Sequence, residues 1–196
     1  MPSRQRRVTL PIGLLGAGLV IFLGVMAFLI ASSLTRRVAP TFAATAEVRG
    51  VLEPGVVDTL TVDASDPDRW RYVDLRRGAI LPPGQPRDWQ LAVRRFHVVA
   101  AERAANLGEV AFEQVSRTPD TGYVATRFAG DTSNAAIGKW YRYGMLTHLL
   151  ETKHDVYVLK GSDGRAAKVQ ILSYYCPGMK PGCLTIRYAW LEEGTR

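Results

Sequence analysis

Cysteine and histidine, the residue types most often found as nucleophiles, acid–base catalysts or transition-metal ligands, are few in this 196-residue chain. There are two cysteines and three histidines, and the chain has no G-x-S-x-G, H-E-x-x-H, P-loop or G-x-G-x-x-G sequence. None of the histidines has a fixed spacing to paired carboxylates, which would be typical of an acid–base or metal site. The sequence therefore predicts that the chain is not an enzyme, and it leaves binding and structural functions open.

The two cysteines stand at the two ends of the stretch PGMKPG, as Cys176 and Cys183. The runs on either side are typical of β-strands, and a hairpin would bring the two α-carbons close enough for a disulfide. Disulfides persist outside the cytosol. The alternatives are a pair of buried free thiols, or half of a metal site, but for zinc the spacing is wide and no second Cys or His pair accompanies it. We predict a disulfide that limits the freedom of the loop.

The histidines and methionines differ in their surroundings. His97 lies in the alternating run WQLAVRRFHVVAA (89–101), where we expect a packed or hydrogen-bonded side chain and not a ligand. His148 and His154 lie in the segment that leads into the last strands. Met145 and Met179 would ordinarily fill gaps in a core. Met179, however, stands in the short loop between the cysteines, where we expect little core for it to fill.

The elements that must position these residues are mostly β-strands. Six runs have the composition or the alternation of strands, and they lie at 56–64, 69–75, 89–101, 155–160, 165–175 and 184–190. The last three are joined by short turns and predict an antiparallel meander, with one face of its last strand formed by Leu184, Ile186, Tyr188 and Trp190. Residues 101–138 read as a short helix or an irregular connection. The predicted fold is mostly β, an antiparallel sheet with one or two short helices, preceded by a single transmembrane helix.

The N-terminal segment 10–34 has no charged residue and is long enough to cross the hydrocarbon core of a membrane. A cleaved signal peptide is the alternative, but its apolar core is only about 7–15 residues long. Arg36 and Arg37 would also precede the small-residue cleavage site at 44–46. We expect an uncleaved anchor, with a basic tail at 1–9, a linker at 35–54 and an exported domain at 55–196.

The charge distribution fits this topology. The formal net charge is +7, but five of the 25 basic residues flank the apolar segment and all 18 acidic residues follow it. Residues 38–196 therefore carry a balance of only +2, without a basic stripe with interleaved aromatics, so we expect no nucleic-acid partner. The arginines before the segment favour a cytoplasmic N-terminus. We expect a single-pass protein of the inner membrane, bound to the bilayer through residues 10–34, with its C-terminal domain in the periplasm or outside.

Three stretches of the chain resemble the HmuY-like family of exported bacterial haem-binding proteins. They are RDWQLAVRRFHV (87–98), GKWYRYGMLTHLL (138–150) and the closing hairpin VYVLKGSDGRAAKVQILSYY…LTIRYAW (156–190). The resemblance implies a mostly β domain that holds haem in a surface cleft between two axial side chains. Members of the family are typically outer-membrane lipoproteins or shed haemophores that serve haem uptake. This chain differs in its transmembrane anchor, in Gln90, where the family usually has Asp, and in the loop framed by cysteines.

The resemblance directs attention to side chains that could bind haem iron from opposite faces, for which His and Met are the usual donors. The candidates outside the strands are Met145, His148, His154 and Met179, and the preferred pair is His148 with Met179. Four tyrosines could line an apolar slot or could equally be core, and they are Tyr141, Tyr143, Tyr174 and Tyr175. The expected function is haem capture or handling, with a membrane or haem-transfer protein as a possible partner. The alternative is a membrane-tethered interaction or assembly scaffold that binds no cofactor.

Overall fold

The structure is a computed structural model that describes residues 12–34, 38–45, 50–82 and 87–191. The predicted basic tail at 1–9, Arg36, Arg37 and the last five residues lie outside this described part. The described part divides into two units after Val38, an N-terminal helix and a larger unit, Ala39–Arg196, which we call the β domain.

The N-terminal unit contains the helix α1, Ile12–Leu34. Its stretch Gly13–Ser32 has a mean hydropathy of 2.7 and no buried residue, so it is long and apolar enough to cross a membrane. A helix that is apolar on all sides has no polar face to turn toward water. The structure thus confirms the single apolar helix that the sequence predicts ahead of a β fold.

Twelve strands lie in the described part of the β domain. They are β1 Asp58–Asp63, β2 Arg71–Asp74, β3 Ala79–Ile80, β4 Leu91–Arg94, β5 His97–Ala100, β6 Arg103–Asn106, β7 Val124–Ala125, β8 Tyr141–Tyr143, β9 Leu150–Thr152, β10 Val156–Lys160, β11 Ala166–Cys176 and β12 Lys180–Trp190. Two 3₁₀ turns, Phe112–Gln114 and Pro177–Met179, complete the elements of this unit.

The strands form three antiparallel sheets. The largest sheet has the order β1-β12-β11-β10-β6-β7, the second has β3-β2-β4-β5, and the third is the hairpin β8-β9. Consecutive strands β10, β11 and β12 are neighbours, which confirms the predicted meander. Because each turn reverses the chain within a few residues, the tip between β11 and β12 lies at the opposite end of the sheet from the turn between β10 and β11.

The two larger sheets share one hydrophobic core. Leu184, Ile186 and Tyr188 of β12 point into it, as their alternation predicts, and they meet side chains from the second sheet such as Val73 and Leu91. Successive residues of a strand face opposite sides of the sheet. Ala189, and Leu191 two residues later, therefore pack in a separate cluster on the face of the large sheet that points away from the shared core, which we call the outer face. The large sheet is therefore covered on both sides.

The connection after β6 covers that outer face. Phe112 is fully buried there, although its neighbours in the sheet include two cations. Lys168 Nζ lies 4.5 Å from the centroid of the Phe112 ring and donates a 2.9 Å hydrogen bond to the Phe112 carbonyl. The Arg187 guanidinium lies 4.4 Å from the same ring and pairs with Glu113. The Phe112 ring therefore lies against two cations that are otherwise hydrogen-bonded to protein oxygens.

The run 89–101 forms two strands, and the expectation of one continuous strand is wrong. Arg95 and Phe96 form a tight turn between β4 and β5, with Arg94 paired to His97. Arg95 takes a positive φ of 53° there. The turn has no Gly, Asn or Pro to announce it, so only the tertiary structure reveals the reversal.

Part of the segment expected to be a linker contacts the strands of the β domain. Phe42 N–H donates to the Tyr175 carbonyl, and Thr45 N–H donates to the Thr61 carbonyl in β1. Further along, the N–H of Leu52 donates to the carbonyl of Arg76 in the turn between β2 and β3, and the N–H of Gly55, just after the predicted linker, donates to the carbonyl of Trp190 in β12. Small residues without a repeating pattern can still add backbone hydrogen bonds at a sheet edge. These hydrogen bonds attach part of the predicted linker to the β domain.

Candidate functional site

The hairpin β8–β9 carries His148 in its turn. His148 has a positive φ of 53°, and its N–H donates a 2.7 Å hydrogen bond to the Gly144 carbonyl. Gly144 N–H in turn donates to the Leu149 carbonyl at 2.8 Å, which closes the turn. The hydroxyl of Tyr143 lies 2.6 Å from His148 Nδ1. Nδ1 of this exposed imidazole is therefore hydrogen-bonded to Tyr143, whereas Nε2 has no hydrogen bond to any of the described residues.

The same turn presents apolar side chains to solvent. Met145 is 76 % exposed and Leu146 is 83 % exposed, while the neighbouring Tyr143 is 50 % exposed. Three large side chains exposed within four residues are unusual for a monomeric surface, where such residues are ordinarily scattered singly. This arrangement is suited to contact a flat apolar ligand or another apolar surface.

A buried aromatic cluster holds the hairpin on the β domain. The indole N–H of Trp140, just before β8, donates a 2.9 Å hydrogen bond to the carbonyl of Phe96 in the β4–β5 turn. The Phe96 ring packs edge-on against Tyr141 at 5.7 Å. Trp140 also contacts Tyr174 at 5.9 Å between ring centroids. The turn that carries His148 therefore projects from a rigid base.

The tip between β11 and β12 carries Met179 and the two cysteines. Cys176 and Cys183 form a disulfide with their α-carbons 4.8 Å apart, which confirms the predicted bridge. Met179 has a positive φ of 61° and is half-buried against the main core. The expectation of little core for Met179 to fill is therefore wrong, because Met179 packs against the edge of the shared core.

Tyr175 links the tip to the hairpin that carries His148. Its hydroxyl accepts a 2.7 Å hydrogen bond from the Leu150 N–H at the start of β9. Leu150 follows His148 by two residues, and Met179 follows Tyr175 by four. The turn and the tip therefore lie on two elements that meet at one buried hydroxyl.

The four candidate tyrosines have different surroundings. Tyr174 and Tyr175 are core residues, only 2 % and 4 % exposed, and burial raises the pKa of each phenol. Two register shifts of β11 against β12, on either side of Ser173, disturb the alternation, which allows both neighbours to face inward. Tyr141 is half-buried against the cluster and Tyr143 is exposed. Tyr141 and Tyr143 alone of the four remain available to line a surface site.

The remaining histidines lie outside the β8–β9 turn. His154 is exposed at the far end of β9, where its carbonyl accepts a 2.5 Å hydrogen bond from the Gln170 side chain. His97 is exposed at the start of β5, and its ring stacks on Phe96 at 4.4 Å, so the packed or hydrogen-bonded side chain expected there is packed on one side. Desolvation by its neighbours, together with the nearby Arg94, lowers its pKa. The unrecognised β4–β5 turn explains its exposure, since the turn places His97 at a strand end.

A cleft lies at the other end of β11 from the Met179 tip. It is a cleft of about 510 Å³ bounded by the β10–β11 turn, Trp89, Trp190 and several charged side chains, including Glu102 and Arg103. The eleven-residue strand β11, roughly 35 Å long when extended, separates this end from the Met179 tip. No histidine, methionine, cysteine or tyrosine is among the described residues that line it, so the cleft offers no donor of the types that bind haem iron.

The described residues contain no group of three or more His, Cys, Asp or Glu side chains that could hold a metal ion. A metal bound at the His148 turn would therefore need most of its coordinating atoms from a non-protein ligand, such as a macrocycle. Such a ligand would need one or two protein donors and an apolar contact surface. The turn offers an imidazole and exposed apolar side chains together.

Comparison with known proteins places the chain in a family. The family model described as HmuY protein matches residues 66–188. The comparison with curated proteins finds no match. Among solved structures, an apo HmuY analog from Tannerella forsythia superimposes with a TM-score of 0.57 at 18 % identity, over 73 % of this chain and 99 % of that chain.

Two further structures have the same fold. A Bacteroides vulgatus protein proposed to be an HmuY-like haem-binding protein gives a TM-score of 0.59 at 20 % identity, over 74 % of this chain and 99 % of that chain. Apo PinO from Porphyromonas gingivitis gives a TM-score of 0.60 at 14 % identity, over 71 % of this chain and 99 % of that chain. At these identities the likeness shows a shared fold. The family match, which covers more than half of the chain and both site-bearing hairpins, confirms the resemblance noted in the sequence, and the chain belongs to the HmuY family.

Proposed function

We propose that this protein binds haem at the surface formed by the β8–β9 turn and the β11–β12 tip, and that it serves haem capture or handling. The observation that carries the proposal is the exposed turn in which His148 stands beside Met145 and Leu146. An available imidazole within an exposed apolar patch is unusual on a soluble surface, and it is the combination that a haem face would cover.

His148 and Met179 are the proposed axial ligands. They lie on different elements, the hairpin and the tip, which the Leu150–Tyr175 hydrogen bond joins, so they can approach a ligand from two sides. Met145 belongs to the same turn as His148 and would approach from the same side. His154 lies beyond β9 and is outside the proposed pair.

The donor types present fit haem. When bound, haem supplies an iron with two axial positions and a flat apolar surface. His148 would donate through Nε2, because Tyr143 occupies Nδ1. Met145 and Leu146 would exclude water from the apolar face, and Tyr143 would flank the imidazole. The disulfide would limit the motion of Met179 before binding, which reduces the ordering entropy that binding must overcome.

The proposed location is the outer side of the inner membrane, in the periplasm or beyond it. Helix α1 is long enough to act as the anchor, and the disulfide fits an oxidising compartment. In that position the β domain would accept haem from, or pass it to, a membrane or haem-transfer protein. The protein would act by binding and release, without catalysing a reaction.

The test is a titration of the full chain in detergent with hemin, followed by the Soret band. We expect a shifted, low-spin spectrum at micromolar hemin and at least about a tenfold weaker binding for His148→Ala. Met179→Leu removes the thioether and keeps the volume of this half-buried side chain, so it separates the loss of a ligand from a loss of packing. His154→Ala is the matched control, an exposed histidine at the other end of the hairpin, and it should bind like the parent.

The alternative function is a membrane-tethered scaffold that uses the same exposed turn for contact with another protein. The exposed Met145 and Leu146 favour it as the second candidate, because apolar patches also mark protein contacts. If the parent gives no Soret shift at micromolar hemin, the haem proposal fails and the scaffold function replaces it.

A further inference from the structure

One hydrogen bond crosses the β8–β9 hairpin between two exposed side chains. Tyr143 is the last residue of β8 and His148 lies in the turn, five residues later, and their side chains approach to 2.6 Å between the Tyr hydroxyl and Nδ1. The ring centroids are 5.9 Å apart at an angle of 60°, so the rings do not stack and the hydrogen bond is their polar contact. Exposed side chains rarely hold one geometry unless the backbone does so for them.

The backbone of the turn supplies that restraint. Two hydrogen bonds, from His148 N–H to the Gly144 carbonyl and from Gly144 N–H to the Leu149 carbonyl, close the turn. The positive φ of His148 sets the direction of its side chain back across the hairpin toward β8. A non-glycine residue in the left-handed region is uncommon and is kept only where the surroundings determine it. The contact with Tyr143 is therefore part of the folded turn.

We propose that Tyr143 is a positioning residue that reserves Nε2 of His148 for the iron by occupying Nδ1. The proposal rests on the haem-binding function proposed above and adds the residue that orients its ligand. A neutral imidazole carries one proton on its two nitrogens, and the nitrogen that binds a metal must be the one without it. When Nε2 binds iron, Nδ1–H is the donor and the phenol oxygen of Tyr143 accepts its hydrogen bond.

This role has a measurable electronic consequence. An acceptor at Nδ1–H makes the imidazole a stronger donor to a metal, and loss of such a partner typically weakens metal binding about 10- to 100-fold. The phenol is neutral and Tyr143 is half exposed, so water competes for the same nitrogen. We therefore expect the lower end of that range, about tenfold. A weaker donor also stabilises ferric iron less, so the midpoint potential of the bound haem should rise.

The experiment compares the full chain in detergent with its Tyr143→Phe and Tyr123→Phe variants. Tyr123→Phe is the control because it removes one phenol hydroxyl from the loop on the outer face of the large sheet, where that hydroxyl has no hydrogen-bond partner. In the haem-free proteins, ¹⁵N NMR of labelled histidine should show a changed Nδ1 shift for His148 in Tyr143→Phe and the parent shift in Tyr123→Phe. With hemin, Tyr143→Phe should bind about tenfold more weakly and have a higher midpoint potential.

The outcomes separate this inference from the function on which it rests. If His148→Ala abolishes the low-spin spectrum while Tyr143→Phe keeps the parent affinity and potential, the role of Tyr143 is refuted and haem binding stands. An unchanged Nδ1 shift in haem-free Tyr143→Phe also refutes it, because the hydrogen bond would then be absent. If the parent itself does not bind hemin, the proposed function fails first, and the role of Tyr143 fails with it.

Discussion

Opening the Cys176–Cys183 disulfide should destabilise the β domain without unfolding it. The cysteines are seven residues apart, and the chain-entropy relation for a loop of that length gives about 2.4 kcal/mol at 25 °C. For a domain of this size, that free energy corresponds to a fall of roughly 5–10 °C in Tm. The ladder between β11 and β12 and the pairing of β12 with β1 remain in place, so the fold should survive.

The assay is thermal unfolding followed by circular dichroism, in two forms that remove the bridge differently. Cys183 is 4 % exposed, so Cys176→Ala/Cys183→Ala avoids the buried hydroxyl that serine would introduce. The parent protein treated with reductant keeps both side chains and loses only the bond. We expect similar shifts from the two forms, since both act on the entropy of the unfolded chain.

Two results would refute the reasoning. A shift below about 1 °C in both forms would mean that the strands alone order the tip and that the bridge adds no stability. Loss of the folded signal at room temperature would mean that the bridge holds the domain together, which the chain entropy of so short a loop does not explain.

Two further predictions concern the backbone and the phenols. Gly182→Ala should lower the free energy of unfolding in urea by about 2 kcal/mol or more, because its φ is +127° and a Cβ there would lie 2.7 Å from Ser65 Cα. Gly178 also has a positive φ but has open space around it, so Gly178→Ala should lower the free energy of unfolding by only about 1 kcal/mol. Stability should also fall at alkaline pH. Burial raises the pKa of Tyr123 to about 12 against about 10 in the unfolded chain, so the native state keeps a proton that the unfolded state loses. Between these values such a tyrosine should lower the free energy of unfolding by up to about 1.4 kcal/mol per pH unit, measured from urea midpoints. The lowered pKa of Lys168 acts in the opposite direction until the unfolded lysine has lost its proton, about one pH unit above its ordinary pKa, so the fall should be clearest between about pH 11 and 12. A flat profile in that range would contradict the raised pKa of the Tyr123 phenol.

The strands that the sequence predicts best are those with regular alternation and clear turns. In β12 the apolar residues Leu184, Ile186 and Tyr188 repeat every second position, and the GSDG turn before β11 has the usual turn composition. In a strand every second side chain faces the core, so a sequence in which every second residue is apolar matches the buried face of the folded sheet. The disulfide is predictable for the same reason, because the hairpin sets the distance between its cysteines.

Other features depend on contacts that leave no local pattern. The β4–β5 turn uses Arg95 at positive φ, where a turn would ordinarily carry Gly or Asn. Phe112 stands in an irregular connection and becomes core because Lys168 and Arg187, which a sequence would assign to the surface, close over it. In these cases tertiary packing decides the structure against local preference.

The candidate site likewise combines features that the sequence predicts with features that depend on tertiary contacts. The candidate residues His148 and Met179 come from the sequence and the family resemblance. Their surroundings cannot be predicted in this way, because the hydrogen bonds of Tyr143 with His148 and of Tyr175 with Leu150 depend on the turn geometry and on the docking of one hairpin against another. The half-buried position of Met179 likewise follows from where the shared core ends.

Magnetic circular dichroism of the full chain loaded with one equivalent of hemin tests the central claim most directly, because it reports the axial ligands of the iron. The account predicts a low-spin ferric spectrum with the charge-transfer band of a methionine thioether ligand. That band should disappear in Met179→Leu, and the low-spin signal should be lost in His148→Ala. A spectrum identical to that of free hemin in the same detergent, or one that both substitutions leave unchanged, would contradict haem binding at this site.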